Sequence, residues 1–348
     1  MRKPLKLGLY LALAAALAAG YALTRGPAPP APSPPGTVSF AVLGDAPYYL
    51  WEDLQFRVVL EDLDAHDLAW VIHVGDIFWR PCTDELYLRS LAWFDGLRHP
   101  VVFTPGDNEW TDCWEAGSGG LDPLDRLDRI REIFFADPTR SLGGRRISLV
   151  SQGRGAAEAA AGAGAPGFPE LVENVRWQAH GMVFATVNLP GSQNAMEPFP
   201  LRTAAHDAAA ARRTEGAAAW AREAFAAAAA AGATAVVLAF HANPGLEGPP
   251  DDAYRRAYEP FLTALEEEAE RFAKPVLLVH GDDHAYMVDR PLVRRTTGQR
   301  LENSAESPYR QAYEPFVTAL EEEAERFGGQ VLLLHGDNHD YLVDHALT

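Results

Sequence analysis

Residues 68–79 read LAWVIHVGDIFW, and the fold follows from how this stretch ends. An apolar run of this length is too short for a buried helix and suits a buried strand; it stops abruptly at Gly75 and Asp76. The same grammar recurs upstream in SFAVLGD, residues 39–45, and downstream in PVVFTPGDNE, residues 100–109. Between the first two strands, Phe56, Val59, Leu60 and Leu63 recur at helical spacing, and residues 83–97 carry a second helical pattern. The alternation is βαβαβ.

Further along, residues 115–170 are rich in Gly, Ala and Pro, with the run AAEAAAGAGAPG, and read as a long insertion holding a short helix near Leu124–Phe135. MVFATVNLP then reads as a strand, about Ala208–Ala230 as an Ala-rich helix, TAVVLAFH as a strand, the stretch before PVLLVHGDDH as a helix, PVLLVHGDDH as a strand, and AYMVD as a short one. One small parallel sheet does not need so many strands. The expectation is an α/β chain with two sheets and helices outside them.

The chain has 348 residues, 47% of them apolar, which is enough for a sizeable core. Its 30 Lys and Arg against 48 Asp and Glu leave a formal charge of -18, which disfavours nucleic acid as a partner. Arg2, Lys3 and Lys6 precede the uncharged stretch Leu7–Leu23, and the Pro-rich run GPAPPAPSPPG follows. Residues 1–25 therefore read as a signal peptide or membrane anchor and 26–37 as a stiff linker. The expectation is an exported protein, periplasmic or extracellular, or one held at the membrane by its N-terminal segment. In such a compartment Cys82 and Cys113 can pair.

The C-terminal end repeats itself. Residues 254–293 and 309–348 are identical at 28 of 40 positions without a gap. A solenoid needs at least about three units, so this is a partial tandem duplication, with 304–348 repeating 249–293. HGDDH at His280–His284 and HGDNH at His335–His339 then compete for one place. The first copy is favoured because the chain continues from it through VDRPLVRRTTGQRLEN; the second is expected outside the site with its strand at an edge.

Five strands end in candidate ligand residues: Asp45, Asp76, the GDNE of Gly106–Glu109, His241, and the HGDDH segment. Ligands of open α/β sheets bind beyond the carboxyl ends of the strands, so five such ends can converge. Carboxylates mixed with imidazole and an amide carbonyl suit Mn, Fe, Zn or Co better than copper(I) or calcium alone. His73 is read as a packed or supporting histidine, GSQN at 191–194 as a turn or a substrate contact, and Trp110 and Trp114 as cleft walls or packing. His66, His99, His180 and His206 carry no pattern.

This ordered set resembles the calcineurin-like metallophosphoesterase superfamily, which includes the purple acid phosphatases, over residues 38–303. The resemblance implies a four-layer αββα sandwich of two mixed sheets flanked by helices and holding two divalent or trivalent transition-metal ions. It implies Asp45 on the first metal, Asp76 bridging, Asn108 and His241 on the second, and His284 returning to the first. The sequence departs from the family at three points. Pro47 stands in place of a ligand histidine, with Tyr48, Tyr49 or water to fill in, and Trp79 stands where purple acid phosphatases have a tyrosine. Glu109 replaces the histidine that acts on the leaving group, and can serve as the proton donor if its pKa is raised. Asp282 replaces the first histidine of the last motif, so either Asp282 ligates or His280 reaches in. The implied activity is hydrolysis of a small phosphate mono- or diester by a hydroxide bridging the metals, with Glu109 or His280 as acid. The rival expectation is a degenerate, non-catalytic metal-binding module.

Overall fold

The computed structural model describes residues 38–49, 51–153, 167–246 and 252–284, and residues 287–289, 292, 297, 299, 304–309, 330–333, 336–337 and 340–341 beyond them. The signal or anchor and linker expected at 1–37, most of the Ala/Gly run, and His335 and His339 lie outside the described residues. Among the described residues no helix is long and apolar enough to cross a membrane.

The chain opens as β1 (Ser39–Leu43), α1 (Asp53–Ala65), β2 (Val71–His73), α2 (Asp84–Gly96) and β3 (Val101–Phe103). The strands pair in parallel, with Leu43, His73 and Phe103 level with one another. That register sets the turns carrying Asp45, Asp76 and Asp107 side by side. After α3 (Pro123–Phe134) come β4 (Val150–Ser151), β5 (Val175–Ala179) and β6 (Met182–Thr186). The helix α4 (Ala204–Ala231) then leads to β7 (Ala235–Ala239), and α5 (Glu259–Phe272) to β8 (Val276–Val279). Strands β6, β7 and β8 are parallel, so Thr186, Ala239 and Val279 end at one level.

The C-terminal region adds β9 (Met287–Asp289), β10 (Ser304–Tyr309), β11 (Gln330–Leu333) and a small hairpin of β12 (Gly336–Asp337) with β13 (Asp340–Tyr341). The sheet orders are β11-β1-β2-β3 and β4-β5-β6-β7-β8-β10-β9. Residues beyond 303 thus enter both sheets, and the strand of the second repeat copy lies at the edge beside β1. The resemblance implies two mixed sheets, but the described strands of the first sheet are all parallel. Its strands β1 to β3 are joined by helical crossovers, which return each strand in the same direction. Only the second sheet is mixed, because β5 and β6 form a hairpin and β4 and β9 also run antiparallel to their neighbours.

Side-chain alternation along each strand divides the core. Ala41, Leu43, Val71 and Phe103 pack with Phe56, Val59, Leu60 and Leu63 of α1 and with Ile130 and Phe134 of α3. Phe40, Val42 and Ile72, on the other face, meet Trp177, Phe184 and Val237 of the second sheet. The remaining face of that sheet, with Val183, Val236 and Leu238, packs on Trp220 and Ala224 of α4 and Phe261 and Leu265 of α5. The chain is therefore a mixed α/β protein with two sheets and helices. The four apolar residues chosen for α1 from their spacing are its buried face. Strand β5 escapes the sequence reading because its turn is His180–Gly181, both at positive φ, a two-residue hairpin without the usual Asn or Asp signal. His206, which carried no sequence pattern, caps α4 through Thr203.

Candidate functional site

The turns after the strands are tight because glycines let backbones approach. Gly75 has φ 102, and a Cβ there would run into the Gly106 backbone; Asp45 donates its N–H to Gly75 O at 3.0 Å. Asp45, Asp76, Asp282 and His284 all sit at positive φ, from 50 to 79, a region costly for residues with a Cβ and concentrated at functional sites. A further turn, Gly191–Ala195, is wound left-handed, with Ser192, Gln193, Asn194 and Ala195 at φ 48 to 57. It is held by buried Asn194, whose Nδ2 donates to Thr214 Oγ1 at 2.8 Å and whose carbonyl accepts from Arg213 at 2.5 Å.

At the centre lies His241, fully buried. Its Nδ1 is 2.9 Å from Val74 O and must carry the proton of that bond, since a carbonyl only accepts. Its Nε2 has no hydrogen-bond partner among the described residues. This atom lies 3.4 Å from Asp76 Oδ1, 3.5 Å from Asp107 Oδ1 and 3.8 Å from Asp282 Oδ1. Two donor sets emerge, Asp45 with Asp76 and His241, and Asp107 with His241 and Asp282, each with its ligand atoms within 4.8 Å of one another. His284 Nε2 is 3.7 Å from Asp45 Oδ1. Asp282 also accepts from the Asn243 N–H at 3.1 Å and donates its own N–H to Asp45 Oδ1 at 3.0 Å, which locks the last motif of the first repeat copy onto the first motif of the chain.

Tyr48, next to Pro47, turns into this cluster. Its Oη donates to Asp76 Oδ2 at 2.8 Å and lies 2.6 Å from His284 Nε2. Burial, reinforced by the charges of Asp76 and Asp45, holds the phenol pKa well above its usual value. Trp79 packs edge-on against Tyr48 at 5.7 Å instead of entering the cluster.

Burial pushes Asp76 well above the ordinary carboxylate range, partly opposed by His241 and reinforced by Asp107 and Glu109. Burial likewise takes Glu109 to about 7 and Asp282 to about 6. Burial alone would lower His241; the negative charges of Asp76 and Asp107 outweigh it and raise the imidazole well above its usual value. A dry cluster of carboxylates around one ring nitrogen asks for positive charge. A proton or a bound cation at Nε2 meets that demand, and the Nδ1–H···O=C bond is the arrangement that would orient a ligating histidine.

Of the residues chosen from the sequence, Asp45, Asp76, His241, Asp282 and His284 come together. Asn108 stands beside them, donating Nδ2 to Asp76 Oδ2 at 2.5 Å and its backbone N–H to Oδ1 at 3.1 Å. Its neighbour Asp107, not chosen from the sequence, falls in one of the two donor sets. Asp107 follows Gly106 directly, as Asp45 and Asp76 follow their glycines, and that adjacency was the available signal. Glu109 is fully buried behind the cluster, with Oε1 accepting from the Ile77 N–H at 3.0 Å. His280 stacks on Phe240 at 5.5 Å and belongs to neither donor set.

Ser192 ties the left-handed turn to the site, donating to Asp112 Oδ1 at 2.7 Å and lying 3.3 Å from Asp107 Oδ2. Trp110 and Trp114 line a neighbouring shallow hollow; Trp110 is buried under Arg213, and Trp114 stacks on Phe199. Cys82 and Cys113 form a disulfide across a separation of 31 residues, fastening the loop after β2 to the one after β3, where the Asn108 and Glu109 carbonyls lie beside the sulfurs. No protein-family model matches this chain, and no curated protein matches it.

Proposed function

We propose that this chain is an exported, metal-dependent hydrolase of small phosphate esters, built as the αββα sandwich of the calcineurin-like metallophosphoesterases. The observation that carries the reading is the buried Nε2 of His241, its other nitrogen committed to Val74 O, facing carboxylates from three other strand ends. Asp45 and Asp76 would hold one ion and Asp107, Asp282 and His241 a second, since the single free nitrogen of His241 serves one ion, with His284 flanking Asp45. Mn, Fe, Zn or Co ions there would supply Lewis acidity, an activated water and positive charge for a phosphoryl transition state.

The chain's own residues do the rest. Asn108 orients Asp76 through both its oxygens. Tyr48 keeps a proton on Oη, donates it to Asp76 and meets His284 Nε2 with the same oxygen, filling the place left by Pro47. The left-handed turn brings Ser192 against Asp107 and, with no Cβ on Gly191, leaves room for the Asp107 and Asp282 carboxylates. The disulfide supports the exported reading, since such bonds persist in oxidising compartments.

A second reading, a non-catalytic metal-binding module of the same fold, draws on Glu109, whose Oε1 is bonded to the Ile77 N–H, and on His280, which stacks on Phe240 and is in neither donor set. Metal analysis of the purified full chain, followed by incubation with aryl phosphate mono- and diesters, separates the two. Two ions per chain with ester turnover is the expected result. One ion or none, without turnover under Mn, Fe, Zn or Co, would sink the hydrolase reading.

A further inference from the structure

From the carboxylate cluster a continuous run of aromatic rings leads outward. Tyr48, whose Oη is in the cluster, packs on Trp79 at 5.7 Å. Trp79 packs on Tyr49 at 5.4 Å, and Tyr49 stacks on Trp51 at 4.5 Å with an interplanar angle of 8°. Trp79 is 36% and Trp51 67% exposed. Two solvent-facing tryptophans joined ring to ring with a buried polar site are a costly surface unless something covers them. The short sequence APYYLW places them: Tyr48 reaches inward while Tyr49 and Trp51 stay at the rim.

We propose that this run is a stacking platform for a planar aromatic ring carried on the leaving group of the substrate, so that the chain prefers aryl or nucleoside phosphates to aliphatic ones. The proposal rests on the phosphoester reading above and deepens it. Aromatic side chains bind planar π systems face to face and tolerate many of them, because every such ring offers a flat face. An acidic site with an aromatic rim would also suit a quaternary ammonium group. Here Arg80 decides against that: its guanidinium lies over the Trp79 ring at 5.3 Å, and among the described residues it has no carboxylate partner. It already supplies the cation over Trp79 and repels a second one. The ligand that fits is flat and neutral or anionic.

The test reads binding separately from turnover. Tryptophan fluorescence titrations of the full chain, with hydrolysis followed in parallel, use phenyl phosphate, adenosine 5′-monophosphate, glycerol 2-phosphate and phosphocholine. Phenyl phosphate and the nucleotide are expected to bind about tenfold or more tightly than glycerol 2-phosphate, in keeping with the contribution of one stacked ring. Trp51→Ala should remove most of that advantage and Trp51→Phe restore it, with glycerol 2-phosphate unchanged throughout. A larger gain for the nucleotide than for phenyl phosphate identifies a base as the ring, and equal gains an aryl group. Equal affinities for the aromatic and aliphatic esters, tightest binding of phosphocholine, or a Trp51→Ala effect confined to sedimentation with phosphatidylcholine–phosphatidylglycerol vesicles each overturns the platform. Aromatic-selective binding without hydrolysis of any ester leaves the platform standing and removes the hydrolase reading. Hydrolysis without aromatic selectivity does the reverse.

Discussion

His73 gives a quantitative handle on how dry the strand ends are. It is fully buried on β2, its Nδ1 accepts from the Gly75 N–H at 3.2 Å, and its ring packs on Phe94 at 5.1 Å. Burial brings its pKa down from 6.5 to about 3, with a backbone contact at Ala46 opposing and His241 adding a little. A histidine whose pKa is depressed by folding costs nothing above the unfolded value, and it destabilises as the pH falls from 6.5 towards 3, because only the unfolded chain takes up the proton. Between pH 7 and pH 5 the loss is about 2 kcal/mol. The figure is insensitive to the folded pKa, since a ring titrating at about 3 or about 4 is neutral in the folded chain at pH 5. The raised carboxylates Asp76, Glu109 and Asp282 act with the opposite sign, gaining stability as the pH falls through their folded values. They are common to wild type and His73→Asn, whose amide oxygen can still accept from Gly75. Urea unfolding of both full chains at pH 7 and pH 5, with chelator present, should therefore show the wild type losing about 2 kcal/mol more than the variant. Equal losses would refute the claim that His73 is buried neutral.

Three further outcomes follow from the site. Asp282→Ala should lower the metal content of the purified chain by at least one ion and Asp337→Ala should leave it unchanged, because the first repeat copy faces Asp45 and His241; elemental analysis checks both. Replacing Cys82 and Cys113 together by Ser should cost about 3–4 kcal/mol in urea unfolding, the loop-closure value for the 31-residue separation. Gly106→Ala should cost roughly 1–3 kcal/mol and also abolish metal retention, since its methyl would overlap Asp76 Oδ1 and crowd His241 Cε1; a variant that keeps full metal would contradict the close approach described there.

Much of the framework was legible because it is local. Short apolar runs and helical spacing place β1, α1, β2, α2 and β3, and the buried face Phe56, Val59, Leu60 and Leu63 is a property of a single helix. The position of Asp45, Asp76 and His241 at strand ends is likewise written in short apolar runs that stop at polar residues. Such patterns say where a residue sits along its own element and say little about which way its side chain turns.

That second question was answered by tertiary structure. The sequence singles out Asn108 and passes over its neighbour Asp107; the turn after β3 aims Asp107 at His241 and bonds the Asn108 amide to Asp76. Glu109 and His280 look like acids in the sequence, yet one faces Ile77 from inside the core and the other lies on Phe240. Tyr48 and Tyr49, both candidates for the place left by Pro47, separate: Tyr48 enters the cluster, while Tyr49 packs on Trp79 at its rim. The sequence by itself determined the alternation of strands and helices and the ligand-type residues at their ends, because backbone periodicity is set by near neighbours. Only the packing of two sheets determined which of those residues share a metal-sized space, because that depends on strand register, left-handed turns and glycine approaches between segments up to 237 residues apart.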